Sequence, residues 1–246
     1  MDGLAIKELE RINLERVQVR EGDMLYSGKQ LYPVYFEPRP AAIVLHTLSG
    51  LVDFVNDNVD DSILSSSMIV VNSPVSATFM SRIDGVERKR DFIAEVTIDP
   101  ALKTYEFGKY LEVEFFIVAL RSMFETSPDI EKLIKYVSKV QGGGAFELSD
   151  DGVSQTASVK VGVSGALTAK ETAPAIVKLR PYRTFRDIQQ TESEFLFRMK
   201  LINESAQVVG CCLYEADGGR WRNIATSSIA DFLRERLADN GPAVIA

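Results

Sequence analysis

Apolar residues recur at two different periods along this chain, and the periods divide it into candidate helices and strands. After Thr47, a residue suited to capping, Leu48, Leu51, Val52, Val55 and Val59 follow the i, i+3, i+4, i+7 spacing of an amphipathic helix. In "FGKYLEVEFFIVALRSMF", Val113, Phe116, Ile117, Leu120 and Phe124 share one face, while Phe115 and Val118 widen the apolar stripe. So wide a stripe predicts a central helix covered on more than one side. Ser127-Pro128 opens a surface helix with Ile130, Leu133, Ile134 and Val137 inward. Thr226 is placed to cap "SSIADFLRERLAD", with Ile229, Phe232, Leu233 and Leu237 inward and Asn240-Gly241-Pro242 as the stop. A short charged helix is expected around Leu4–Arg11.

Alternation predicts the strands. A strand is expected over Val17–Val19, then two in "MLYSGKQLYPVYF" around a turn at Ser27-Gly28, then a short buried strand in "AAIVLH". "SMIVVN", "VSATFMSRI" and "DFIAEVTI" follow, the last two joined through Asp84-Gly85 and the charged run "ERKRD". Farther on come "VSQTASVKVGVSG", the proline-punctuated "APAIVKLRPYRTF", and "SEFLFRMKLIN" paired with "AQVVGCCLYEA" through "NESA". The irregular order predicts an α+β fold, mainly antiparallel strands with about four helices packed against them. The triple glycine in "QGGGAF" marks a candidate boundary. It would separate an N-terminal α+β part, 1–141, from a strand-rich part with a terminal helix, 142–246, unless the two form one domain.

Composition narrows the function classes. The 246 residues carry a net charge of −7, which disfavours nonspecific binding to duplex nucleic acid. No apolar run reaches the ~18 residues needed to span a bilayer, and the N-terminus has no hydrophobic signal core. A cytoplasmic protein without membrane contact is expected. Cys211 and Cys212, the two cysteines, are adjacent, so in a strand they point to opposite faces as packing residues.

Candidate chemistry is sparse. Glu215 and Asp217 in "LYEADGGRW" form a carboxylate pair beside a turn built by Gly218-Gly219, with Trp221 as an anchor. Asp150, Asp151 and Gly152 supply part of a calcium loop, or simply a turn. His46 is the lone histidine and has no nucleophile motif beside it. No catalytic residue, cofactor or metal is expected from these patterns. The denser feature is "KLRPYRTFRD", which sets Arg180, Arg183 and Arg186 among Tyr182 and Phe185, with Arg198 and Lys200 soon after. Cations interleaved with aromatics hold single-stranded nucleic acid in other proteins, yet arginine equally serves interfaces and carboxylate pairs. An interface or structural role ranks first for these residues.

The motifs "HTLSGLVDFVNDN", "FGKYLEVEFFIVALRSMFE", "DDGVSQTASVKVGV", "LRPYRTFRDIQQTESEFLFRM" and "LYEADGGRW" resemble those of an uncharacterised bacteriophage and prophage protein family, a domain of unknown function. The resemblance runs over most of the chain. It brings no active site with it, and implies a phage-encoded accessory protein acting inside a bacterial host. The expected function is therefore non-enzymatic: self-assembly as a homo-oligomer, or binding of a host or phage protein. The alternatives are a DNA-metabolism accessory that binds single-stranded nucleic acid and, third, a metal-dependent hydrolase using Asp150, Asp151, Glu215 and Asp217.

Overall fold

The structure is a computed structural model. It describes residues 19–21, 24–27, 32–36, 41–60, 64–83, 88–141, 146–150, 155–161, 167–203, 205 and 208–246, with the backbone alone in 19–36, 140–150 and 155–172. The expected helix Leu4–Arg11, the residues Val17 and Gln18, Gly28, the Asp84-Gly85 turn, Gly142–Gly144, Asp151 and Gly152 lie outside these. Two compact units divide at Ala41/Ala42. In the first, β1 (Val19–Glu21), β2 (Met24–Ser27) and β3 (Tyr32–Phe36) form an antiparallel sheet in that order.

The second unit is α+β, with four α-helices and mostly antiparallel sheets among the described residues. Its five-stranded sheet contains β4 (Ile43–Leu45), β5 (Met68–Ser73), β6 (Ser76–Met80), β7 (Phe92–Thr97) and β15 (Ala243–Ile245), in the order β15-β5-β6-β7-β4. Both edge strands run parallel to their neighbours. The four-stranded sheet has the order β12-β13-β14-β8, from β8 (Leu111–Glu112), β12 (Ile176–Leu179), β13 (Ser193–Asn203) and β14 (Val208–Glu215). β9 (Phe146–Asp150), β10 (Gln155–Val161) and β11 (Leu167–Thr172) form a separate antiparallel sheet. Both larger sheets draw strands from either side of the Gly142–Gly144 run.

Each larger sheet has its own core and its own helix pair. The four-stranded sheet buries Phe195, Phe197, Cys211 and Leu213 against α2 (Val113–Ser122) and α3 (Pro128–Gln141), which contribute Phe116, Leu120, Leu133 and Val137. The five-stranded sheet buries Ile69, Phe79, Ala94 and Val96 against α1 (Leu48–Asn56) and α4 (Trp221–Arg236). At the start of α1, the Thr47 hydroxyl accepts from the Gly50 N–H, and Leu48, Leu51, Val52 and Val55 face inward.

Several expectations need correction. Helix α1 stops at Asn56, so Val59 lies beyond it and is exposed. Strand β4 is an edge strand with Ile43 and Val44 exposed, because its outer side has no neighbouring strand among the described residues. Helix α4 begins at Trp221, five residues before the expected Thr226 cap. Thr226 instead sits inside the helix and donates its hydroxyl to the Arg222 carbonyl, a common resting place for a helical threonine. Finally, among the described residues α2 is covered on one side alone: Phe115 is 65% exposed and Val118 58% exposed.

Candidate functional site

The arginine-rich segment does not form one continuous binding stripe. Its first residues zip onto the end of α2: the Glu125 N–H donates to the Arg180 carbonyl, and the Tyr182 N–H donates to the Met123 carbonyl, both at 2.9 Å. The Arg180 guanidinium lies 3.3 Å from Glu192 and 3.9 Å from Glu125. Beyond Arg183 the backbone curls around buried Gln190. That side-chain oxygen accepts from the Arg183 and Thr184 N–H groups, and its nitrogen donates to the Phe185 and Ile188 carbonyls. One glutamine thus satisfies a loop whose backbone has no sheet partner there.

From this loop the side chains diverge. Phe185 enters the core of the five-stranded sheet, and Arg186 lies at the surface with its guanidinium 3.7 Å above the Tyr182 ring. The Thr184 hydroxyl donates to the Pro74 carbonyl. Asp187 caps α1 from 138 residues away, accepting from Ser49 N at 3.0 Å and Ser49 Oγ at 2.6 Å. It also accepts from Leu48 N at 3.2 Å. Burial opposes ionisation of Asp187, but these bonds outweigh it and hold the carboxyl below its ordinary value.

Arg183 is the centre of the arrangement and is 8% exposed. Its Nη1 donates to Glu215 Oε1 at 2.5 Å, its Nη2 donates to Ser193 Oγ, and Asp217 Oδ2 lies 4.0 Å away. The guanidinium stacks 3.8 Å from the Trp221 ring centre and faces Phe195 at 5.6 Å. Burial pulls its pKa down to about 10 against the upward pull of Glu215 and Asp217, so it stays charged at neutral pH. Glu215 and Asp217 do converge, as their spacing suggested, but on an arginine. Asp217 also accepts from the Gly219 N–H at 2.9 Å in a turn where Gly218 and Gly219 take φ of 63° and 79°. "EADGG" is therefore a turn that seats Trp221 and presents two carboxylates to Arg183.

Next to Trp221 a cleft of about 310 Å³ is lined by Lys178, Ser193, Glu194, Asp217 and Arg220. Charges of both signs meet there, with Lys178 3.5 Å from Glu194, so no single-sign field builds up. Among the described residues no group of three or more His, Cys, Asp or Glu side chains gathers as a metal site. His46 is exposed and donates through Nδ1 to the Thr97 carbonyl at 3.1 Å.

Arg198 lies elsewhere, on the face of the four-stranded sheet turned away from α2 and α3. It sits opposite Cys212 in the β13–β14 register, and its Nη1 donates to the Phe197 carbonyl at 3.0 Å. Nearby, Lys200 stands 4.1 Å from the Tyr110 ring centre, and Tyr110 meets Tyr214 edge to face at 6.5 Å. Cys211 faces the core on the other side; both thiols are buried, and burial pushes the Cys211 thiol up to about 12. The sequence read Arg183 as one of three similar arginines. Its distinction lies chiefly in Glu215, Asp217 and Trp221, each more than 30 residues away, and Gln190 and Asp187 carry no local signal.

Fold and site together define an α+β unit, Ala42–Ala246, whose described residues form two cores joined by a buried arginine and its loop. No protein-family model, no curated protein and no solved structure matches the chain.

Proposed function

We propose that this protein works by association rather than by catalysis, as a self-assembling accessory protein. The carrying observation is the outward face of α2, where Phe115 and Val118 stand 65% and 58% exposed on a helix whose opposite face is fully packed. Two large apolar side chains at i and i+3 form a contiguous patch, and such patches favour association. The acid-base candidates support the same reading, since Glu215 and Asp217 face Arg183. Among the described residues no helix is long and apolar enough to cross a membrane. A bacteriophage origin and a host-cytoplasm setting belong to the proposal through the motif resemblance. Sedimentation velocity across the micromolar range tests it: mass should rise with concentration, and a monomer throughout would refute self-assembly.

A specific observation favours a second reading, binding of single-stranded nucleic acid. Arg198, Lys200, Tyr110 and Tyr214 place cations and aromatic rings together on one sheet face, a combination suited to stacked bases and phosphates. Salt-sensitive binding of an oligonucleotide, lost in K200E/Y214A, would establish it.

A further inference from the structure

The geometry points to the occupant of the α2 face: the α2 of a second copy, running antiparallel, with Val118 at the two-fold centre. This pairing rests on the self-association reading and adds its orientation and its ion pairs. Helix α2 has ten residues, about 15 Å of length. Residues seven apart on an α-helix return to within about 20° of the same direction. Glu114 and Arg121 therefore lie along one flank of Val118, and Phe115 and Ser122 along the other.

A two-fold axis perpendicular to the helix keeps each flank on its own side and reverses the chain direction. Glu114 then meets Arg121 of the second copy, and the symmetric contact repeats the pair. Phe115 packs over the small Ser122 of the second copy, and Val118 meets its own equivalent. A parallel pair has its two-fold axis along the helix and swaps the flanks. The Glu114 and Arg121 flank of one copy would then lie against Phe115 and Ser122 of the other, and both charges would go unpaired. The charges select the antiparallel form.

Arg121 is prepared for this contact. Both of its terminal nitrogens donate to Glu131 on α3, which fixes the guanidinium, yet its side chain is 51% exposed. A guanidinium has five donors, so others are left for a second carboxylate. One short helix face falls below the ~800 Å² per partner of a standard interface, so the pair should form in a concentration-dependent way.

The test is sedimentation equilibrium on the full chain, with circular dichroism to show that each variant is folded. Wild type should dimerise, and V118D should remain monomeric. E114R should weaken dimerisation by about tenfold through like-charge contact. E114R/R121E should recover most of that loss. Because R121E also faces Glu131, the triple variant E114R/R121E/E131R restores that intramolecular pair and should dimerise like wild type. If V118D is monomeric but E114R associates as wild type does, the antiparallel pair is overturned and self-association survives. If wild type is monomeric throughout, both fall.

Discussion

The two cores of the larger unit use the same plan, one sheet and two helices, but they are assembled differently. Around the four-stranded sheet, α2 and α3 are neighbours in sequence and β13 and β14 form one hairpin. Its interior is aromatic: Tyr105 packs against Phe107 at 5.0 Å and Phe124 at 5.2 Å, and Phe116 against Phe197 at 5.8 Å. Around the five-stranded sheet the interior is mainly aliphatic, and its helices lie far apart in sequence. Specific polar ties hold those helices in place. Asn56 donates to the Arg236 carbonyl at 3.1 Å and accepts from the Ala238 N–H at 3.2 Å, while Asp187 caps α1. The first core keeps its helices adjacent in sequence but takes its main strands from 176–215. The second is built mostly from the consecutive stretch 43–97 and is closed by α4 and β15 from 221–245, so its helix pair depends on long-range ties.

The loop from Arg180 to Gln190 should therefore matter more to the second core than its length suggests. The largest effect is expected from Phe185→Ala, which empties a fully packed position there and should cost about 3–5 kcal/mol in urea unfolding. An effect no larger than a surface substitution would show that the loop is peripheral. Arg183→Ala should cost about 3 kcal/mol, because it strands Glu215 and opens a void under Trp221. Arg183→Met, which refills the volume, should recover part of that loss. Equal losses in both would mean that the charge, not the packing, is what counts.

Asp187→Asn is expected to cost about 1–2 kcal/mol at neutral pH through the weakened cap of α1. The carboxyl sits below its unfolded value of about 3.9, so its contribution is complete above that pH. It is lost as pH falls through the lower folded value, so the variant should unfold with a shallower acid-side slope than wild type. Retention of the full slope would assign it to other carboxylates such as Asp217. The smallest effect belongs to the first core's surface: Glu131→Gln loosens an exposed ion pair and should change stability by about 0.5 kcal/mol.

Sequence reading reached the first core more fully than the second. The helical period around Phe116 and Leu120, the proline start of α3 and the β13–β14 hairpin are local signals, and each appears in the structure. The α+β class follows from them. What escaped depends on distant partners. Three residues, Ala243–Ile245, look like a tail until β5 is beside them. The start of α4 at Trp221 is set by the Asp217 turn and by Arg183 beneath the indole, so the local Thr226 signal misleads. Phe115 and Val118 belong to the apolar run by composition, but one helix cannot bury every side of itself against one sheet.

The placement of α4 and β15 also has a consequence during synthesis. Strands β5–β7 and helix α1 are complete once Val96 and Thr97 have been translated, yet the helix and edge strand that cover them lie at 221–245. At about 5–20 residues per second, the intervening stretch takes on the order of 6–25 s to translate. Through that interval Leu51, Ile69 and Val71 lack the cover of Ile229 and Leu233. The nascent chain thus presents a half-built apolar layer to holding chaperones, and a ribosome stalled before Trp221 would leave a product prone to aggregation.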